Sequence, residues 1–133
     1  MSQMIFINLP VADLNKSMDF FKKLGYGFNP QFTNEHGACM IVSDTIFVML
    51  LSHGHYKNFT DKDIINAHQS SEVMIALNAD NKEAVNELVD KAVKAGGNEI
   101  RKPQDYGFMY QRSFDDPDGH TWEIFWMDPD HVQ

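Results

Sequence analysis

Two stretches of the chain carry the same succession of patterns, and this duplication limits the fold more than any other feature. In the first, an apolar stretch at about residues 4–11 precedes Asp13, a helix N-cap candidate, and then LNKSMDFFKKL. Leu14, Met18, Phe21 and Leu24 form one stripe of that helix, and Gly25 closes it. A short strand at about 27–32 is expected next. ACMIV and TIFVMLLS, with Ser43-Asp44 between them, then read as a hairpin. The second stretch repeats the order. Residues 73–77 read as a strand, Asp80 or Asn81 as a cap, and Val85, Leu88, Val89 and Ala92 as the stripe of a helix ended by Ala95-Gly96-Gly97. A strand at 98–101, then a loop, and a hairpin of 109–114 with 120–127 complete the repeat.

The expected fold class is therefore α+β: two tandem βαβββ modules forming a curved mixed sheet with a cleft, helices on the outer face. Module 1 is placed at about 1–55, a linker at about 56–71 and module 2 at about 72–133, within one domain spanning 1–133. Each module would leave one sheet face bare, and two such faces can enclose a ligand cleft within a chain or across a pair of chains. The connecting segment HGHYKNFTDKDIINAHQSSE contains Thr60-Asp61-Lys62-Asp63, a capping-box pattern with Asp in place of Glu. It predicts a short helix through about Ala67, in a segment that serves either as a lid or as a spacer.

Composition narrows the partners. A chain of 133 residues, 43% hydrophobic and 23% charged, can build a globular core. With a net charge of -8 and no cluster of Lys or Arg, nucleic acid and anionic membranes are not expected as partners. No apolar run approaches the roughly 20 residues of a membrane span, and MSQMIFINLP has no signal-peptide pattern. Cys39 is the only cysteine and sits in the apolar run ACMIV, which suits a buried packing residue in a cytoplasmic protein.

The last hairpin, SFDDPDGHTWEIFW, holds the chemistry. Asp116-Pro117-Asp118-Gly119 is turn chemistry, and the alternation after it puts Trp122, Ile124 and Trp126 on one face. Thr121, Glu123, Phe125 and Met127 take the other face. A carboxylate looking into an enclosed face must be solvated, paired, hydrogen-bonded, protonated or bound to a metal. The residue facing Glu123 is Gln111 or Arg112, according to the register of the turn. Arg112 would hold the carboxylate ionised, whereas Gln111 would leave it available as a general acid or base. Tyr106, Tyr110 and Arg112 are polar handles for a ligand.

The duplicated arrangement, the opening LPVADLNKSMDFFKKLGY and the hairpin FDDPDGHTWEIFWMD resemble the vicinal oxygen chelate superfamily: glyoxalases, extradiol dioxygenases, and fosfomycin- and bleomycin-resistance proteins. The resemblance covers nearly the whole chain. It implies a divalent metal held by a His early in the first strand, a His early in the fifth and a Glu in the eighth, with some members adding a Glu late in the fourth. In this chain those positions match Phe6, Met74, Glu123 and Met49, with Asn8 next to Phe6 on the same face. Thioether and phenyl groups do not replace imidazole or carboxylate for Zn²⁺, Mn²⁺ or Ni²⁺. No cofactor is therefore expected, and a divalent metal is disfavoured. His53 and His55, and the loop histidines His36 and His68, are expected to be solvated rather than to form a replacement site, while His120 is expected to pack against the turn.

The first expectation is thus a metal-poor, homodimeric protein that binds a small, partly apolar molecule through Phe6, Asn8, Met49, Met74, Tyr110, Gln111, Arg112, Glu123 and Phe125. The alternatives are a glyoxalase-type lyase, isomerase or dioxygenase with Glu123 as the catalytic group, and a non-catalytic module whose cleft is filled by its own side chains.

Overall fold

The computed structural model describes residues 2–131. It divides into two compact units, Met1–Ile65 and Asn66–Gln133, and this boundary falls inside the expected linker. In the first unit, β1 (Ile5–Val11), α1 (Leu14–Leu24), β2 (Gly27–Asn29), β3 (Gly37–Ile41) and β4 (Ile46–Ser52) follow in order, ending in a helical turn, α2 (His53–Tyr56). The strands lie in the order β1-β4-β3-β2, with β1 parallel to β4 and the other pairs antiparallel. Asp13 caps α1 by accepting from the Lys16 N–H at 3.1 Å. Gly25, at φ 106°, closes the helix in the left-handed conformation that an L side chain resists. Leu9, Val11, Met40, Val48 and Leu50 pack on the helix side with Phe20, Phe21 and Leu24, and all are buried.

The second unit repeats this plan with β5 (Met74–Asn78), α3 (Lys82–Lys94), β6 (Gln104–Asp105), β7 (Met109–Asp115) and β8 (Thr121–Met127), in the order β5-β8-β7-β6. Of the two cap candidates Asn81 is used, accepting from the Ala84 N–H at 2.7 Å. Val85, Val89 and Ala92 of α3 are buried, as are Phe114, Trp122 and Ile124 of the sheet. The α+β class and the two βαβββ modules read from the sequence are those of the structure.

Three local expectations need correction. The helix expected from Thr60 to Ala67 does not form. The Thr60 hydroxyl accepts from the Lys62 N–H, two residues on, so it closes a tight turn instead of reaching the third N–H of a helix. The short strand expected at 27–32 ends at Asn29, whose side chain accepts from the Gln31 N–H and starts a 3₁₀ turn at Pro30. Residues 98–101 form no regular strand. Asn98 makes a single bridge to Asp115, and the edge strand resumes only at Gln104.

Candidate functional site

Each sheet has one face against its helix and one without. On the helix-free face of the first unit, the parallel register pairs Phe6 with Phe47, Asn8 with Met49 and Pro10 with Leu51. The second unit pairs Met74 with Thr121, Ala76 with Glu123 and Asn78 with Phe125. Phe6 therefore occupies in its module the place that Met74 occupies in the other, and Met49 occupies the place of Glu123. The four positions singled out in the sequence are two pairs of equivalent positions, and only Glu123 carries a donor suited to a hard cation.

The first face is apolar. The Phe6 and Phe47 rings stack with centroids 4.8 Å apart, and Phe6 remains 51% exposed. Met49 is half-buried opposite Cys39, whose thiol is buried and pushed above its ordinary pKa by desolvation. That is packing, not reactivity.

On the second face the hairpin register corrects the sequence expectation, because neither Gln111 nor Arg112 lies opposite Glu123. Ser113 lies directly opposite Glu123, while Gln111 lies opposite Phe125, so both β7 residues share the face of Glu123. Gln111 Nε2 donates to Glu123 Oε2 at 3.0 Å. Tyr110 and Arg112 point the other way, towards α3. The Tyr110 hydroxyl meets Asn86 Oδ1 at 2.6 Å. Arg112 forks onto Glu99 through Nε at 2.9 Å and Nη2 at 2.8 Å, reaches Asp90 at 2.9 Å, and donates from Nη1 to Asn86 Oδ1 at 3.0 Å. Those carboxylates hold its guanidinium charged and its donors engaged. Glu123, Gln111, Phe125 and Met74 thus share one face, from which Tyr110 and Arg112 are absent, while Phe6, Asn8 and Met49 share the face of the first unit.

Sequence reasoning missed the part played by Asp116. Its buried carboxylate accepts from the Asp118 N–H at 2.9 Å, the His120 N–H at 3.0 Å and Trp122 Nε1 at 3.0 Å. Burial pushes its pKa up from 3.8 to about 6, against the pull of His120 and the Trp122 hydrogen bond. The signal was present as an Asp beginning a DPDGH turn two residues before an inward Trp, where an Asx-type turn invites such bonds.

The donors do not fit the divalent metal that the resemblance implies. Among the described residues no group of three or more His, Cys, Asp and Glu could hold a metal ion. His36 and His55 lie with ring centroids 6.0 Å apart, and His55 meets the Phe59 ring edge-on at 5.3 Å, an aromatic stack without a third ligand. His120 is buried beside the Asp116 turn.

The model of the Glyoxalase/Bleomycin resistance protein/Dioxygenase superfamily matches residues 3–124. A hypothetical protein from S. aureus is similar in structure, with a TM-score of 0.80 at 30% identity over 95% of this chain and 94% of that one. A glyoxalase-related enzyme from Fulvimarina pelagi gives 0.78 at 22% identity, covering 95% and 88%. A glyoxalase/bleomycin resistance protein/dioxygenase family enzyme from Burkholderia phytofirmans PsJN gives 0.77 at 18% identity, covering 95% and 99%. These last two likenesses concern the fold. No curated protein matches the chain. With the match running through both modules and into the Glu123 strand, the chain belongs to the glyoxalase/bleomycin resistance protein/dioxygenase superfamily.

Proposed function

We propose that the protein binds a small, partly apolar molecule on its helix-free sheet faces and does so without a divalent metal. The observation that carries this reading is the pair of exposed apolar residues at equivalent positions, Phe6 at 51% and Met74 at 61% exposure, where metal-dependent relatives would place imidazoles. Exposed aromatic and thioether groups adapt to apolar ligands, and Glu123 with Gln111 supplies a polar contact on the second face.

Nile red, a neutral apolar fluorophore, is expected to bind saturably. Fully burying a phenylalanine is worth about 1.5–3 kcal/mol, so covering the exposed half of Phe6 is worth about 0.8–1.5. Phe6→Ser should weaken the dye roughly four- to twelvefold with little loss of stability; unchanged affinity would remove the support for this reading. Calorimetric titration with Zn²⁺, Ni²⁺ and Mn²⁺ is expected to show no stoichiometric tight site. Tight binding abolished by Glu123→Gln would contradict the metal-free reading.

The Gln111 contact favours a second reading, in which Glu123 transfers a proton between adjacent carbons of a carbonyl compound. Conversion of a methylglyoxal-thiol adduct that Glu123→Gln reduces at least a hundredfold would put this reading first; no conversion by the unsubstituted protein would remove it.

A further inference from the structure

The edge of the second sheet is interrupted where it passes Glu123. Asn98 bridges Asp115 and Gln104 pairs with Gln111, so the five residues 99–103 stand opposite the three residues 112–114. This is a bulge with two extra residues, and Pro103 within it has no N–H to restore the ladder. The bulge places Arg101 and Lys102 beside β7, where with Gln104, Gln111, Arg112 and Ser113 they line a cavity of about 30 Å³.

Two independent features make this cavity more than a fold in the surface. Ser113 is only 6% exposed and faces Glu123, yet its hydroxyl makes no hydrogen bond to any described residue. The hydroxyl lines the nook, where a bound acceptor can take its hydrogen bond. Arg101 and Lys102 are exposed, and among the described residues neither has a carboxylate partner, although the chain is strongly acidic. The two free cations outweigh the one charge of Glu123, part of which is already taken up by Gln111.

We propose that this nook receives the carboxylate of the ligand, which makes the ligand class a small carboxylic acid with an apolar body. The proposal rests on the apolar-ligand reading above. Arg101 and Lys102 supply charge, and the Ser113 hydroxyl donates to one carboxylate oxygen. Met74 and Phe125, on the same face, take the apolar body. The nook is shallow and small, about 30 Å³, and suits the edge of a planar carboxylate better than a tetrahedral phosphate.

The test compares 2-naphthoate with its neutral isostere 2-naphthamide by calorimetry at low ionic strength, while acetate and inorganic phosphate are titrated against the Ser113 amide signal by NMR. Naphthoate is expected to bind at least tenfold more tightly than the amide. The Arg101→Ala/Lys102→Ala variant, changed only at exposed positions, should abolish that advantage, and Ser113→Ala should weaken naphthoate severalfold. Acetate, but not phosphate, should shift Ser113. Equal affinities, or an advantage that survives the double substitution, would overturn the nook and leave the apolar face standing. If neither naphthalene binds but acetate shifts Ser113, the nook stands and the apolar reading falls; if acetate also has no effect, both fall. A phosphate shift as large as that of acetate would overturn the carboxylate assignment.

Discussion

Trp122→Ala is expected to lower the free energy of unfolding by about 3–5 kcal/mol, the largest effect of any single substitution in the hairpin. The indole is 1% exposed, lies parallel to Phe114 with centroids 6.4 Å apart, and faces α3. Truncation removes that packing and also strands the Asp116 carboxylate, which loses the Nε1 donor at 3.0 Å. Trp122→Phe separates the two effects. It keeps most of the volume and loses the bond to the carboxyl, so about 1.5–3 kcal/mol is expected. Urea denaturation measures both, and a loss below about 1 kcal/mol for the alanine variant would contradict this packing.

Asp116 gives the same hairpin a pH dependence. Its folded-state pKa is raised, so the proton is held more tightly in the fold than in the unfolded chain. The stability that this carboxyl contributes is therefore full below its ordinary value of 3.8 and is lost as pH rises through about 6. Asp116→Asn should destabilise at every pH, because one of the two acceptor oxygens becomes an NH2 donor and the three N–H groups cannot all be met. Its deficit should shrink from pH 4 to pH 7. A deficit that grows over that interval would show that the carboxylate form is the favoured one.

What could be read from the sequence, and what could not, follows from the range of the interactions. Caps and stripes depend on neighbours three or four residues away, so Asp13, Gly25 and the Val85–Val89–Ala92 stripe were readable. Alternation along β8 likewise placed Glu123 opposite in face to Trp122. The residue opposite Glu123 was misread as Gln111 or Arg112, because the closed Asp116 turn, which sets the register and places Ser113 there, is not visible in the alternation. The linker failed for the opposite reason. Thr60 has two local uses for its hydroxyl, and no apolar stripe followed to favour the helix. The bulge at 99–103 could not be read at all, because it exists only as a mismatch between two strands.

Arg112 carries the second large effect. Its side chain is 11% exposed and Glu99 is 21% exposed, so the forked pair between them is largely removed from water, while Asp90 at 69% is screened. Arg112→Ala leaves Glu99 half-desolvated without its cation and frees Asn86 from two contacts. A loss of about 2–4 kcal/mol is expected, below the full value for breaking a buried pair because Asp90 contributes little. Arg112→Ala/Glu99→Ala removes both partners and should recover at least half of that loss. The coupling should also tell structure from binding. Arg112 faces α3, so the Arg112→Ala protein, assayed well below its melting temperature, should bind Nile red as the unsubstituted protein does. A Phe6-sized loss of dye affinity on removing Arg112 would mean that this guanidinium serves the ligand, and the division between the two faces of the sheet would have to be abandoned.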